Sequence, residues 1–268
     1  MLKGTTEWHL TTNCIEILEE ELISRDFFNY AVEYKADGAR VILYTEDENF
    51  VKDILKVTNS ELLEKKSSQV DDWFKYMKLE PFEIATGIWI DPKGNFSAKD
   101  AVVVKMRPSA AFGTGDHPTT ILAAKLLVQY LKNARNVLDV GCGTAILAII
   151  AAKLGVEKVV AVDNDPVAVD VAKEFVHENQ VKVDVMLSDL VNNVDGKYDL
   201  VVANILTPVI VKLIDQIGKV TDKGSILIVS GISVKDESII RSHLQSKNLE
   251  ILSEGEMQNW KAFAVKIC

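Results

Sequence analysis

Cysteine is scarce in this chain. Cys14, Cys142 and Cys268 are its three thiols, odd in number and far apart. That excludes a disulfide framework and the paired spacings of a zinc site, and it suits a reducing cytoplasm. Basic charge is short as well: 30 Lys and Arg against 39 Asp and Glu leave a formal net charge of −9. Nucleic-acid binders usually carry a basic face, so no direct nucleic-acid partner is expected. A basic protein partner is compatible with the balance. No apolar run is long enough for a bilayer: the most apolar region, 145–162, is broken by Lys153, Glu157 and Lys158. Residues 1–10 lack the positive-then-apolar pattern of a secretion signal. The expectation is a cytoplasmic protein with no membrane partner. No metal is expected, because His117 has no set of His, Cys or carboxylate residues around it. His9, His177 and His243 fall in no pattern and read as surface residues.

What the chain does have is apolar residues, 48% of its 268. They suffice for one large domain or two modest ones. The centre of organisation is 136–154. A β-rich run, Val137-Leu138-Asp139-Val140, is interrupted by Gly141-Cys142-Gly143, and a helix-favouring apolar segment follows from Thr144 to Leu154. Strand, glycine turn and helix is how open α/β sheets hold nucleotide-like ligands. The glycines let backbone approach the ligand, and Thr144 is placed to cap the helix. The dinucleotide pattern is incomplete, because Ile146 stands where its third glycine belongs. There is no Gly-Lys-Ser/Thr for a triphosphate either. The stretch therefore favours a nucleoside ligand without a pyrophosphate; the alternative is a buried turn with no ligand.

The order of elements supports this. Residues 158–163 form a second strand ending in Asp163, about twenty residues past the glycines, where an acid accepts bonds from ribose hydroxyls. Alone, Asp163 would be a strand-end or cap residue. A helix spans 165–179. A third strand, 183–187, leads to Ser188-Asp189, within reach of an adenine amino group. The fourth, 197–204, is nearly all apolar, as buried parallel strands are. It ends in Asn204, either a cap or a site residue at the edge where ligands bind. A helix to 219, a strand at 225–229 and a helix at 234–246 follow. Residues 250–266 leave no room for a crossover helix and must form an antiparallel hairpin.

Upstream, 7–66 reads as a small α+β unit. A strand at 7–11 precedes a helix with a capping-box variant, Asn13 and Glu16. Strands at 30–35 and 39–44 flank the turn Asp37-Gly38. A helix is expected over 49–66. The pattern suits a ferredoxin-like half-sandwich, either plainly structural or concerned with substrate recognition. Residues 67–95 read as a connecting region, with the aromatic cluster Trp73-Phe74-Lys75-Tyr76 and short strands at 82–85 and 87–90. A strand at 101–106 leads to the loop 107–120. There Gly113 and Gly115 precede His117-Pro118, and proline favours the first position of the helix that follows. A loop of this kind before a helix is a candidate ligand lid.

The α/β pattern with Asp139-Val140-Gly141-Cys142-Gly143 and Val162-Asp163-Asn164-Asp165 resembles class I S-adenosylmethionine methyltransferases. Ala111 to Thr120, Val201 to Leu206 and Ser230-Gly231-Ile232 narrow the resemblance to the PrmA family, which methylates the large-subunit ribosomal protein L-eleven. The resemblance implies a doubly wound, mainly parallel seven-stranded sheet with a terminal antiparallel hairpin, over 96–268, and a recognition domain over 1–66. It implies S-adenosylmethionine as cofactor and transfer of methyl groups to lysine and/or N-terminal amines of a basic ribosomal protein. Another protein or a small amine is the alternative substrate. Thr120, Gly141, Asp163 and Asn204 fall on the family's cofactor-contacting positions, with Gly143 in the same turn. Phe112 and His117 match loop residues that close over the methionine end. Asn204 is expected to orient the amine. Cys142 is expected to pack beside the cofactor rather than act as a nucleophile. Two departures stand out: the family usually has Thr where this chain has Asp116, and Ser-Gly where it has Thr144-Ala145.

Overall fold

The computed structural model of the chain describes residues 5–25, 27, 30–35, 38–68, 80–107 and 115–268. They fall in two compact units, Met1–Leu79 and Glu80–Cys268.

In the first unit, strands β1 (Thr5–Thr12), β2 (Tyr30–Lys35), β3 (Gly38–Tyr44) and β4 (Glu61–Ser68) alternate with helices α1 (Ile15–Ser24) and α2 (Glu48–Thr58). The sheet order is β2-β3-β1-β4, antiparallel at every pairing. This is the complete ferredoxin-like arrangement. Alternate residues supply its core: Trp8 and Leu10 from β1 and Val41 and Leu43 from β3 meet Leu18 and Leu22 from α1 and Val51 and Ile54 from α2.

Two expectations are corrected here. The helix expected over 49–66 stops at Thr58, because Asn59 turns left-handed (φ 51°, ψ 37°) and its N–H bonds back to the Leu55 carbonyl. Glu61–Ser68 is then an edge strand whose side chains through Lys66 are exposed, so its charge costs little in a sheet and guards the edge. His9, expected on the surface, is fully buried. The register of β1 on β3 brings Arg40 to it. Arginine only donates, so its Nη2, 2.9 Å away, makes His9 Nδ1 the acceptor, and Nε2 carries the hydrogen shared with Glu7 Oε2 at 2.7 Å. His243 is half-buried against Asp215, 3.2 Å away, and His177 is exposed as expected.

The second unit begins with a three-stranded sheet of β5 (Phe82–Ala85), β6 (Ile88–Asp91) and β7 (Val102–Lys105). The connecting region expected over 67–95 thus carries two strands of this unit. Its aromatic cluster, Trp73 to Tyr76, lies outside the described residues. Helix α3 (Pro118–Tyr130) leads to β8 (Asn136–Val140), α4 (Ile146–Lys153), β9 (Lys158–Asp163), α5 (Pro166–Glu178), β10 (Asp184–Leu187), β11 (Leu200–Asn204) and α6 (Thr207–Gln216). The unit continues with β12 (Ile226–Ser233), α7 (Glu237–Ser246), β13 (Glu250–Met257) and β14 (Trp260–Lys266).

The seven strands order as β10-β9-β8-β11-β12-β14-β13, parallel from β10 to β12. β14 runs antiparallel to both neighbours. Alternate residues of each strand feed two separate cores. Val137, Val159, Ala161, Leu200 and Val202 lie on the side of α3 and α4; Leu138, Val140, Val160, Val162, Val201 and Ala203 lie on the side of α6 and α7. Burial on both faces is why these strands read as unbroken apolar runs. No helix among the described residues is long and apolar enough to cross a membrane.

Candidate active site

The carboxyl ends of β8, β9, β11 and β12 converge at one edge of the sheet, the edge where open α/β sheets place ligands. At the end of β8 the chain turns sharply. Gly141 and Gly143 take φ of +69° and +53°, where glycine meets no Cβ penalty. The N–H groups of Gly141 and Cys142 both donate to the Val162 carbonyl, at 2.8 and 3.0 Å. The Gly143 N–H donates to Asp163 Oδ2 at 2.9 Å, and Asp163 Oδ1 accepts from the Asp165 N–H at 3.0 Å. The glycine turn and the acid at the end of β9, foreseen separately, are therefore one hydrogen-bonded unit.

Thr144 is buried upstream of the α4 cap, and the cap residue is Ala145, left-handed at φ 60° with no side-chain bond. The strand supplies an acceptor for the first turn: Asp139 Oδ2 accepts from the Ala148 N–H at 3.1 Å. Burial pushes the Asp139 carboxyl up to about 7, with the charge of Asp163 adding and the Ala148 bond opposing. Asp139 was legible as an acid inside an apolar run, but sequence reasoning gave it no role. The sequence resemblance implies glycine at the position of Ala145. A left-handed alanine costs about 1 kcal/mol, and glycine's extra chain entropy roughly 0.5 kcal/mol. Ala145→Gly is therefore expected to gain about 0.5 kcal/mol in urea unfolding. A loss of about 1 kcal/mol would mean that the packing of this methyl group outweighs the backbone strain.

Beside Asp163 lies Leu187, its partner in the β9–β10 register. Leu187 and Val167, four residues past Asp163, are 51% and 64% exposed. Asp189, exposed two residues on, receives the Asn192 side-chain amide at 3.5 Å. Acid, apolar wall and second acid suit the ribose and base of a nucleoside. The residues from Val140 to Ile146 include no cation to meet phosphate.

Helix α3 opens on His117. Its Nδ1 accepts from the Thr119 N–H at 3.3 Å and lies 2.8 Å from Thr119 Oγ1, so this nitrogen is the unprotonated one. Desolvation lowers the imidazole to about 4, against the pull of Asp116. Its ring meets Trp260 edge-on, 5.4 Å between centroids. Three residues along α3, the fully buried Thr120 accepts a bond from Asn204 Nδ2 at 3.2 Å.

Ile205, noted from sequence only as part of the 201–206 motif, lies against both Gly141 and Gly231. A Cβ on Gly141 would lie 2.3 Å from its Cγ2, and one on Gly231 would lie 2.3 Å from its carbonyl oxygen. Gly141 thus serves packing. Cys142 is buried, and desolvation raises its thiol well above the ordinary range, which makes it a poor nucleophile. Phe112 lies outside the described residues. Among the described residues no group of three or more His, Cys, Asp or Glu side chains could hold a metal ion.

Of the residues singled out from sequence, Gly141, Gly143, Asp163, Thr120 and Asn204 fall at this edge, two pairs of them in direct contact. His117 caps the helix that carries Thr120. This geometry has relatives. The ribosomal protein L11 methyltransferase of Thermotoga maritima is 42% identical over 257 residues, covering 94% of this chain and 96% of that protein. A protein of the same name from Clostridium perfringens is 33% identical, covering 93% and 86%. The crystal structure of a ribosomal protein L11 methylase from Lactobacillus delbrueckii subsp. bulgaricus superposes with a TM-score of 0.66 at 29% identity, over 69% of this chain and 97% of that one. The profile of ribosomal protein L11 methyltransferase (PrmA) matches residues 4–267, and the chain belongs to that family.

Proposed function

We propose that this chain transfers methyl groups from S-adenosylmethionine to lysine and/or N-terminal amines of ribosomal protein L11 in the cytoplasm. The observation that carries the reading is the Thr120–Asn204 bond at the sheet edge. It engages the amide nitrogen and leaves Oδ1 of Asn204 as the acceptor for an incoming amine.

The residues present fit the cofactor. Asp163 offers carboxylate oxygens to ribose hydroxyls, and the exposed Leu187 and Val167 offer a wall for the base. The glycine turn and His117 would hold the methionine end, to which the resemblance also assigns Phe112. When bound, the cofactor supplies an electrophilic methyl group on a cationic sulfur. The chain's part is alignment, since an in-line displacement gains most from positioning. The accepting amine must be neutral. At pH 7 that costs about 4.6 kcal/mol for a lysine but only about 1 kcal/mol for an N-terminal amine, from their reference pKa values. Asn204 Oδ1 and nearby carbonyls orient the amine, and water takes its proton. His117, neutral at this pH, adds no charge to oppose either partner. The first unit is assigned to holding the ribosomal protein, whose basic character suits a chain of net charge −9.

Calorimetry tests the reading. Wild type is expected to bind S-adenosylmethionine at micromolar Kd, and Asp163→Ala to lose roughly 100-fold, about 2.7 kcal/mol. Mass spectrometry of L11 after incubation should then show gains of 14 Da per methyl, a mass set by the chemistry alone. If wild type binds no S-adenosylmethionine, the proposal is wrong; if it binds but L11 gains no mass, another protein or a small amine is the substrate.

A further inference from the structure

We infer that Ser230 is a positioning residue for methyl transfer, holding the Thr120–Asn204 pair from behind through a bulge in β12. This rests on the role proposed for Asn204. Thr120 and Asn204 sit on different elements, 84 residues apart in sequence. Their bond is only as well placed as the two backbones that carry it. Ser230 grips both. Its hydroxyl, fully buried, donates to the Thr119 carbonyl at 2.8 Å. Its own carbonyl accepts from the Ile205 N–H at 3.1 Å. One residue therefore fastens the neighbour of Thr120 and the neighbour of Asn204.

The bulge makes this double grip possible. β12 pairs regularly with β14 through Val229–Phe263 and Ser230–Ala262, then resumes at Ile232–Lys261. Gly231 is the extra residue, at φ +89°, lying against the backbone of Ile205. Bulges of this kind bend a strand and re-aim side chains beside functional sites. Here the bend sets the Ile205 backbone over Gly231, while Ser230 keeps its bond to α3. The carbonyl bond belongs to the backbone and fixes position 230 beside Asn204 whatever its side chain. What the serine hydroxyl adds is the bond to Thr119, which fastens that backbone to the start of α3 next to Thr120.

Four full-length proteins test this: wild type, Ser230→Ala, Asn204→Ala and the double variant, each assayed with S-adenosylmethionine and recombinant ribosomal protein L11. Ser230→Ala is expected to lower kcat by about tenfold or more, as a misplaced group does, while KM for S-adenosylmethionine stays within about twofold. In the Asn204→Ala background the same substitution should change kcat less than about twofold, since the group it positions is gone. Equal factors in both backgrounds would make Ser230 a stabilising residue only. If Asn204→Ala is slow but Ser230→Ala runs at the wild-type rate, Ser230 positions nothing and the role of Asn204 stands. If Asn204→Ala itself runs at the wild-type rate, both roles fall. Should Ser230→Ala not fold, Ser230→Cys takes its place: cysteine packs as a small apolar group with a weak donor, and the same outcomes apply.

Discussion

Replacing Gly231 by alanine is expected to lower the stability of the second unit by about 4 kcal/mol, from left-handed strain and overpacking together. A domain of this size loses roughly 2–4 °C of Tm per kcal/mol, so Tm should fall by about 10 °C or more. The reason is what the new methyl would meet. At φ +89° a Cβ lies 2.3, 3.0 and 3.2 Å from the oxygen, carbon and nitrogen of Ile205, all main-chain atoms. Backbone cannot rotate aside as a side-chain end can. Gly141 makes the contrast. Its Cβ would meet the Cγ2 of Ile205 at 2.3 Å. Ile205→Ala should therefore rescue much of the damage in Gly141→Ala and none of it in Gly231→Ala. Differential scanning calorimetry decides the matter. A Tm for Gly231→Ala within about 2 °C of wild type would mean that the loop after β11 slides freely, contrary to its fixed place here.

Asp139→Asn should change how stability varies with pH. The folded carboxyl titrates near 7 because burial disfavours its charged form, while in the unfolded chain it titrates near 3.9. Its folded value is raised, so the unfolded chain gives up its proton first. Stability from this group is intact below about pH 4 and is lost as pH rises to about 7. At about 1.36 kcal/mol per unit the loss approaches 4 kcal/mol; relaxation around the site reduces it to about 3 kcal/mol. The asparagine variant has no such loss and keeps an oxygen for the Ala148 N–H. The difference between variant and wild type, measured without ligand, should therefore grow by about 3 kcal/mol between pH 4 and pH 8. His117 tilts the wild-type curve the other way: its lowered imidazole costs stability as pH falls from 6.5 toward 4. The two slopes oppose each other, so only the difference curve isolates Asp139. A flat difference curve would mean that water or a neighbour solvates the carboxylate.

Local patterns in the sequence account for the site residues found early. The turn at Gly141-Cys142-Gly143, the acid closing β9 and the proline opening α3 each announce themselves within a few residues. The misreadings have tertiary causes. Glu61–Ser68 is rich in helix-favouring Glu, Leu and Lys, and only its place at a sheet edge makes it a strand; Asn59 was the local stop signal that went unread. His9 owes its burial to Arg40, 31 positions away, brought across by strand register. Ile205 over Gly141, and Ser230 behind Thr119, join residues far apart in sequence. A lone glycine within a strand pattern hints at a bulge, and Gly231 is such a glycine. What the hint omits is which backbone will press against it.

The position of β14 has a consequence for synthesis. It comes after the other six strands of its sheet in sequence, yet it lies inside the sheet, between β12 and β13. Until Trp260–Lys266 has been made, β12 presents an open row of backbone donors and acceptors, and β13 has no partner at all. The parallel strands can collapse early on the growing chain, but the sheet is sealed only once Trp260–Lys266 has been made. The second unit thus completes its fold around its final segment. Shortening the chain by that one strand would strip two strands from the sheet and leave a long, apolar, aggregation-prone edge.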